Sequence, residues 1–187
     1  EAVKLVKSGD RVFLHGSATT PLYLINALLK RAGEINNVEL VSISTFGEID
    51  WKKPEITNSF YLNSLFVSGN IREWANSPQG GYVPIFLSEI PRLFANGYLP
   101  LDVAIVHVSP PDKHGYCSLG TSIDAAWTAI REAKTVIAQV NPKMCRTHGD
   151  SSVHISTFKA MVWHEADLLS VDYNSQDEIS MKIGRNV

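Results

Sequence analysis

The sequence predicts an α/β domain: an open, mostly parallel sheet with helices on both faces. Two observations point there. Short runs rich in β-branched residues alternate along the chain with stretches whose apolar residues recur at helical spacing. The two most apolar runs, over 102–107 and 134–140, carry few polar positions, as strands do when helices cover both faces of a sheet. At 187 residues, 44% of them hydrophobic, the chain has the length and the apolar content of one domain with a sizeable core.

Residues 1–7 read as a helix through Ala2, Val3, Leu5 and Val6, with no capping residue before them. Ser8-Gly9-Asp10 ends it, and the run over 11–15 is the first strand. Next comes the small-residue turn His15-Gly16-Ser17-Ala18-Thr19-Thr20-Pro21, then a helix over 22–31 with Leu22, Ile25, Leu28 and Leu29 on one stripe. A strand, a tight turn and a helix start can offer free backbone N–H groups to an anion or a carbonyl oxygen. The turn is neither a G-x-G-x-x-G fingerprint nor a P-loop, since the glycine spacing and the lysine are absent. His15 is either a hydrogen-bond donor to a substrate or an imidazole satisfied at a strand end.

Strands follow over 37–44 and 62–67, joined by the turn-rich Trp51-Lys52-Lys53-Pro54. A short helix is predicted over 69–76 and a loop over 77–81. Ser88 is placed to cap a helix that Gly97 ends. A helix over 123–133 separates the two apolar strands. Near the end, Ser175-Gln176-Asp177-Glu178 is a helix-start signature, with Ile179, Ile183 and Val187 following at intervals of four.

The strand over 102–107 empties into Ser109-Pro110-Pro111-Asp112-Lys113-His114-Gly115, a loop that two prolines stiffen and Gly115 lets turn sharply. Loops at the carboxyl ends of strands in open α/β sheets are where ligands sit, so this one is either a site loop or simply a well-made turn. The strand over 134–140 leads to a second polar loop, in which Arg146, Thr147, His148 and Ser151 are donors for a carboxylate, a phosphate or neighbouring backbone.

Both loops carry a resemblance. Ser109-Pro110-Pro111-Asp112-Lys113-His114-Gly115-Tyr116-Cys117-Ser118-Leu119-Gly120 and Asn141-Pro142-Lys143-Met144-Cys145-Arg146-Thr147-His148-Gly149-Asp150-Ser151 resemble the acetyl-CoA hydrolase/transferase family, especially its 4-hydroxybutyrate CoA-transferase-like members. Gly80-Gly81-Tyr82-Val83-Pro84 resembles it too, as a second loop over the substrate or a turn between elements. Cys145 departs from the family pattern, which has proline there.

The resemblance implies an N-terminal CoA-transferase-type domain occupying 1–187, a fragment of a longer two-domain protein whose second domain is absent here. It implies exchange of CoA between an acyl-CoA such as acetyl-CoA and a small carboxylate such as 4-hydroxybutyrate. A glutamate attacks the thioester, and a glutamyl-CoA thioester forms by way of an acyl-glutamyl anhydride. That glutamate falls beyond Val187, and none of Glu48, Glu89 or Asp112 matches its position, so no catalytic residue is assigned in this chain and the isolated chain is expected to be inactive. Coenzyme A enters as a substrate, with no permanently bound cofactor. The substrate-binding residues expected are His15, Gly16 and Thr19 on one side and Ser109, Asp112 and His114 on the other, because both loops follow strands of one parallel sheet. Two other readings stand beside this one: half of an acetyl-CoA hydrolase, and a non-catalytic packing or regulatory domain.

A formal charge of −2 gives no reason to expect nucleic acid or an anionic membrane as partner. No apolar run approaches the roughly 20 residues of a membrane span. Cys117 and Cys145 form no metal-finger or C-x-x-C pattern and read as free thiols of a cytoplasmic protein, and the spacing of His148, His154 and His164 suits no familiar metal set. Val3, Val6, Ile179, Ile183 and Val187 are expected to expose apolar surface for the absent domain or for another copy in a homo-oligomer.

Overall fold

Residues 1–170 and 177–186 are described by the computed structural model of the chain. Its first half runs through β1 (Arg11–Leu14), α1 (Leu22–Leu29), β2 (Val38–Ser42), α2 (Pro54–Ser59), β3 (Phe60–Ser64), α3 (Arg72–Ala75), β4 (Gly80–Tyr82) and α4 (Ile90–Ala95). Its second half runs through β5 (Val103–Val108), β6 (Tyr116–Ser118), α5 (Ala126–Glu132), β7 (Thr135–Val140), β8 (Ser152–His154), β9 (Ala160–Trp163) and α6 (Glu178–Arg185).

Seven strands join in the order β4-β3-β2-β1-β5-β7-β9, every pairing parallel. The order reverses between β1 and β5, the kind of switch point where the loops of an open α/β sheet diverge and leave room for a ligand. Period-two alternation sends neighbouring residues to opposite faces. Val12 and Leu14 of β1, Leu40 of β2 and Ile105 of β5 pack with Leu24, Ile25 and Leu28 of α1 and Trp74 of α3. Phe13, Val41, Ala104 and Val106 pack on the other face with Phe94 of α4 and Ala126 and Ile130 of α5. All six residues of β5 are buried, which explains its apolar run from Val103 to Val106. Removing one such core side chain, for example Leu28→Ala, costs about 2 to 5 kcal/mol.

The amino end corrects one expectation. Ala2–Leu5 forms a single 3-10 turn, and Val3 and Val6 lie in the core rather than on the surface. Arg31 ties this segment down, its Nη1 donating to the carbonyls of Val3 and Val6 at 2.5 and 2.8 Å. The two valines are therefore covered by the chain itself. Ile179 and Ile183 of α6 do lie exposed; Ser175, Gln176 and Val187 fall outside the described residues. Asp177 caps α6, accepting from the Ser180 N–H at 2.7 Å.

Elsewhere the elements shift. The strand expected over 62–67 is β3, which ends at Ser64, and the loop expected over 77–81 contains the start of the edge strand β4. A Cβ at Gly80 would strike the Trp74 carbonyl and one at Gly81 the Tyr61 hydroxyl, so the two glycines let β4 lie against α3 and β3. Within the second polar loop, β8 pairs antiparallel with β6. The helix expected to start at 123 begins at Ala126, because Asp124 takes φ 23°, incompatible with a helix.

Candidate active site

The loops after β1 and β5 emerge side by side, as parallel neighbours must. A cavity of about 770 Å³ opens at the carboxyl ends of the first four strands. Ser17 follows β1, Ile43 and Ser44 follow β2, Leu65 and Phe66 follow β3, and Tyr82, Pro84 and Ile85 come from the end of β4 onward. Phe86, Leu87, Glu89 and Ile90 complete one side, and Asp124 reaches in from the loop before α5. The wall is mainly apolar, with Ser17, Ser44, Glu89 and Asp124 as its principal polar groups. That balance suits a ligand with an aliphatic part and a few groups to be oriented.

Close backbone approach shapes one edge. A Cβ at Gly16 would strike the Ser44 carbonyl, and the Ser17 N–H donates to that carbonyl at 2.6 Å. Ser17 itself has φ 54°. The turn's N–H groups at Ser17, Thr19 and Thr20 are already bonded to backbone, and the Thr19 hydroxyl donates to the Gly16 carbonyl at 2.5 Å. The expected array of free N–H donors is thus largely consumed in forming the turn.

His15 is fully buried. The His107 N–H donates to its Nδ1 at 3.2 Å, which leaves the proton on Nε2, 2.5 Å from the Ser122 carbonyl. Burial pushes the His15 pKa below its ordinary value and keeps the ring neutral. Both nitrogens are satisfied by backbone, so of the two sequence readings the geometry matches the strand-end histidine, not a donor aimed at substrate. His107 is buried as well. Its Nε2 lies 3.4 Å from the Gln139 amide nitrogen, and burial, followed by the nearby His15, holds its pKa down at about 4.

Ser109 and Asp112 shape their own loop. Ser109 Oγ accepts from the Ser118 N–H at 2.8 Å, and Asp112 Oδ1 accepts from the N–H groups of His114 and Tyr116, each at 2.9 Å. These N–H bonds, that of Tyr116 foremost, hold the Asp112 pKa below the usual carboxylate value. Arg146 reaches across from the other polar loop to Ser109 Oγ, the carbonyls of Pro110 and Tyr116, and Asp112 Oδ2, at 3.0 to 3.4 Å. Its guanidinium is therefore a staple between loops, the third of the three options the sequence left open. His114 is exposed at the tip.

None of His15, Gly16, Thr19, Ser109, Asp112 and His114 lines the cavity. They build the turns that follow β1 and β5. The wall residues Ser44, Phe66 and Asp124 were missed. Ser44 was reachable by the same rule about strand ends, Phe66 was absorbed into a strand because its run is apolar, and Asp124 was absorbed into a helix. Tyr82 and Pro84, in the stretch read as a second loop over the substrate, do line the cavity.

Among the described residues no three His, Cys, Asp or Glu side chains come together to hold a metal ion, and no helix is long and apolar enough to cross a membrane. Cys117 and Cys145 are free thiols, the first buried with its pKa pushed up to about 11 by burial.

A parallel sheet with a mainly apolar cleft at its strand ends defines an α/β domain of the open, doubly covered kind. The sequence matches the acetyl-CoA hydrolase/transferase N-terminal domain over residues 1–180, and the chain belongs to that family. It is 37% identical to a succinyl-CoA:acetate/propanoyl-CoA:succinate CoA transferase of Fasciola hepatica over 99% of its length, covering 39% of that protein. To a 4-hydroxybutyrate coenzyme A transferase of Clostridium kluyveri it is again 37% identical, over 100% of its length and 43% of the relative's. The crystal structure of RipA from Yersinia pestis matches 95% of the chain and 44% of its own, at TM-score 0.87 and 29% identity. A 4-hydroxybutyrate CoA-transferase structure from Porphyromonas gingivalis matches 90% of the chain and 38% of its own, at TM-score 0.76 and 27% identity. The chain thus spans about two-fifths of the length of these relatives.

Proposed function

We propose that this domain forms one wall of the active site of a cytoplasmic, homo-oligomeric CoA-transferase, which exchanges CoA between an acyl-CoA and a small carboxylate such as 4-hydroxybutyrate. The observation that carries the reading is the cavity at the strand ends, with apolar walls for an acyl chain and Ser17, Ser44 and Asp124 for polar groups. The likeness to CoA transferases over the whole chain supports it. On this reading the acyl chain lies against Leu65, Ile85 and Ile90, and these apolar walls help exclude the water that would turn transfer into hydrolysis. The attacking carboxylate, a glutamate that becomes a glutamyl-CoA thioester, comes from outside this chain. CoA arrives as substrate and is not permanently held. The exposed Ile179 and Ile183 of α6 support a further covering partner, either the absent domain or a second copy.

The test compares the full-length protein with the 187-residue chain, each given acetyl-CoA and 4-hydroxybutyrate. The full-length protein should transfer CoA at about 1 to 1000 per second, and the isolated chain should not turn over. Release of free CoA without transfer would replace this reading with an acetyl-CoA hydrolase. Neither transfer nor hydrolysis would leave a packing or regulatory domain.

A further inference from the structure

We propose that Asp124 sets substrate specificity at this site, its second carboxylate oxygen accepting a hydrogen bond from an O–H or N–H donor on the acyl-CoA, and that His15 is the positioning residue that holds it there. The inference rests on the acyl-CoA reading above. Three non-glycine residues among those described have positive φ, and two of them, Ser17 at 54° and Asp124 at 23°, stand on the wall of the same cavity. The value at Asp124 lies outside even the left-handed well that aspartate tolerates. Such a backbone persists only where its surroundings over-determine it, and it clusters where ligands are held.

The surroundings are visible on both sides of Asp124. Upstream, the Gly120 N–H donates to Ser118 Oγ at 3.1 Å and the Gly120 carbonyl accepts from the Thr147 hydroxyl at 2.9 Å. Two residues on, the Ser122 carbonyl accepts the His15 Nε2 proton. Downstream, Asp124 Oδ1 accepts from the Ala126 N–H at 3.2 Å, and α5 begins. The strand that ends at Leu14 thereby anchors, through one imidazole, the loop that delivers a carboxylate to the cavity. Asp124 Oδ2 has no hydrogen-bond partner among the described residues, and the side chain is exposed where the cavity opens.

An ionised carboxylate only accepts. It cannot hold the carboxylate of an acceptor acid, so its partner carries a donor: a hydroxyl on the acyl chain, or an amide or hydroxyl of the CoA arm. Leu65, Ile85 and Ile90 take the methylenes beside it.

The experiment uses the full-length enzyme with butyryl-CoA and 4-hydroxybutyryl-CoA, which differ by one hydroxyl. Asp124→Asn keeps an oxygen for the Ala126 N–H and removes the charge. If the donor is on the acyl chain, kcat/KM falls at least tenfold for the hydroxylated substrate alone; if it is on the CoA arm, it falls for both. A value unchanged or raised for both substrates overturns the proposal. For His15, asparagine keeps an acceptor for the His107 N–H but is too short to reach Ser122, whereas glutamine carries a donor at the position of Nε2. His15→Asn should reproduce the Asp124→Asn pattern, the double variant should lose no more than the worse single one, and His15→Gln should recover most of the activity. Losses that multiply in the double variant, or no recovery with glutamine, overturn the positioning role. A wild-type enzyme that moves no CoA between these substrates refutes the transferase reading instead.

Discussion

His15 Nε2 donates to the Ser122 carbonyl across 2.5 Å and 107 residues of sequence, joining the end of β1 to the loop before α5. The neighbouring His107 N–H fixes which nitrogen carries the proton. One buried ring thus ties the loops on either side of the switch point together.

Replacing His15 by alanine should therefore weaken the fold as well as the site. The change leaves the Ser122 carbonyl and the His107 N–H without partners in a dry interior, at about 1 to 3 kcal/mol each, besides the empty volume. Urea unfolding should show a loss of at least about 2 kcal/mol. A variant within about 0.5 kcal/mol of the parent, the range of ordinary surface changes, would mean the ring's bonds contribute nothing.

Stability should fall in mild acid. Burial and the neighbouring His15 hold the His107 pKa at about 4, below the ordinary 6.5, and burial lowers His15 in the same direction. Below pH 6.5 the unfolded chain takes up protons that the folded chain refuses. The His107 share, about 3 kcal/mol, is full above pH 6.5, drains away as the pH drops towards 4 and levels off below, and His15 adds to the decline in the same direction. Unfolding free energies at pH 7, 6, 5 and 4.5 should trace this decline, and His107→Gln should flatten it. An equally steep decline in that variant would place the effect elsewhere.

Gly16→Ala should disturb the site from its floor. The added methyl meets a backbone oxygen, that of Ser44, which has no side-chain freedom to yield. The ends of β1 and β2 must part, at about 1 to 3 kcal/mol, and the Ser17 N–H loses its bond to Ser44. A melting temperature and a kcat/KM both equal to the parent's would refute the close approach.

Arg146→Lys should loosen the proline loop despite keeping the charge. A lysine offers one point of attachment where the guanidinium serves Ser109, Pro110, Asp112 and Tyr116 at once. Because the Arg146 side chain is 42% exposed, the loss should be small, about 1 kcal/mol. Hydrogen exchange should reveal it locally, with faster exchange at the Tyr116 and Ser118 amides. Exchange there at the parent's rate would mean that the prolines and Asp112 hold the loop unaided.

Much of the architecture was legible in the residues. The buried strands β5 and β7 declare themselves by apolar runs that only a sheet covered on both faces produces, and α1 by its stripe. The expected pairing of the loops after β1 and β5 follows from parallel topology alone. The short edge strand β4 and the β6–β8 ribbon carried no pattern, because three residues are too few to show a period.

The site divides along the same line. By itself the sequence determined the fold class, the two polar loops and the family likeness, since these depend on local periodicity, on proline and glycine, and on residue order. Which residues line the cavity depends on tertiary contact. His15, Ser109 and Arg146 are typical site residues by type, yet each spends its hydrogen bonds on backbone or on a neighbouring loop. Phe66 and Asp124 look like parts of a strand and a helix, yet line the cavity, because the strand expected to reach 67 ends at Ser64 and a residue at φ 23° delays a helix. A polar side chain's role is set by which partners reach it first, and for His15 that partner, the Ser122 carbonyl, lies 107 residues away.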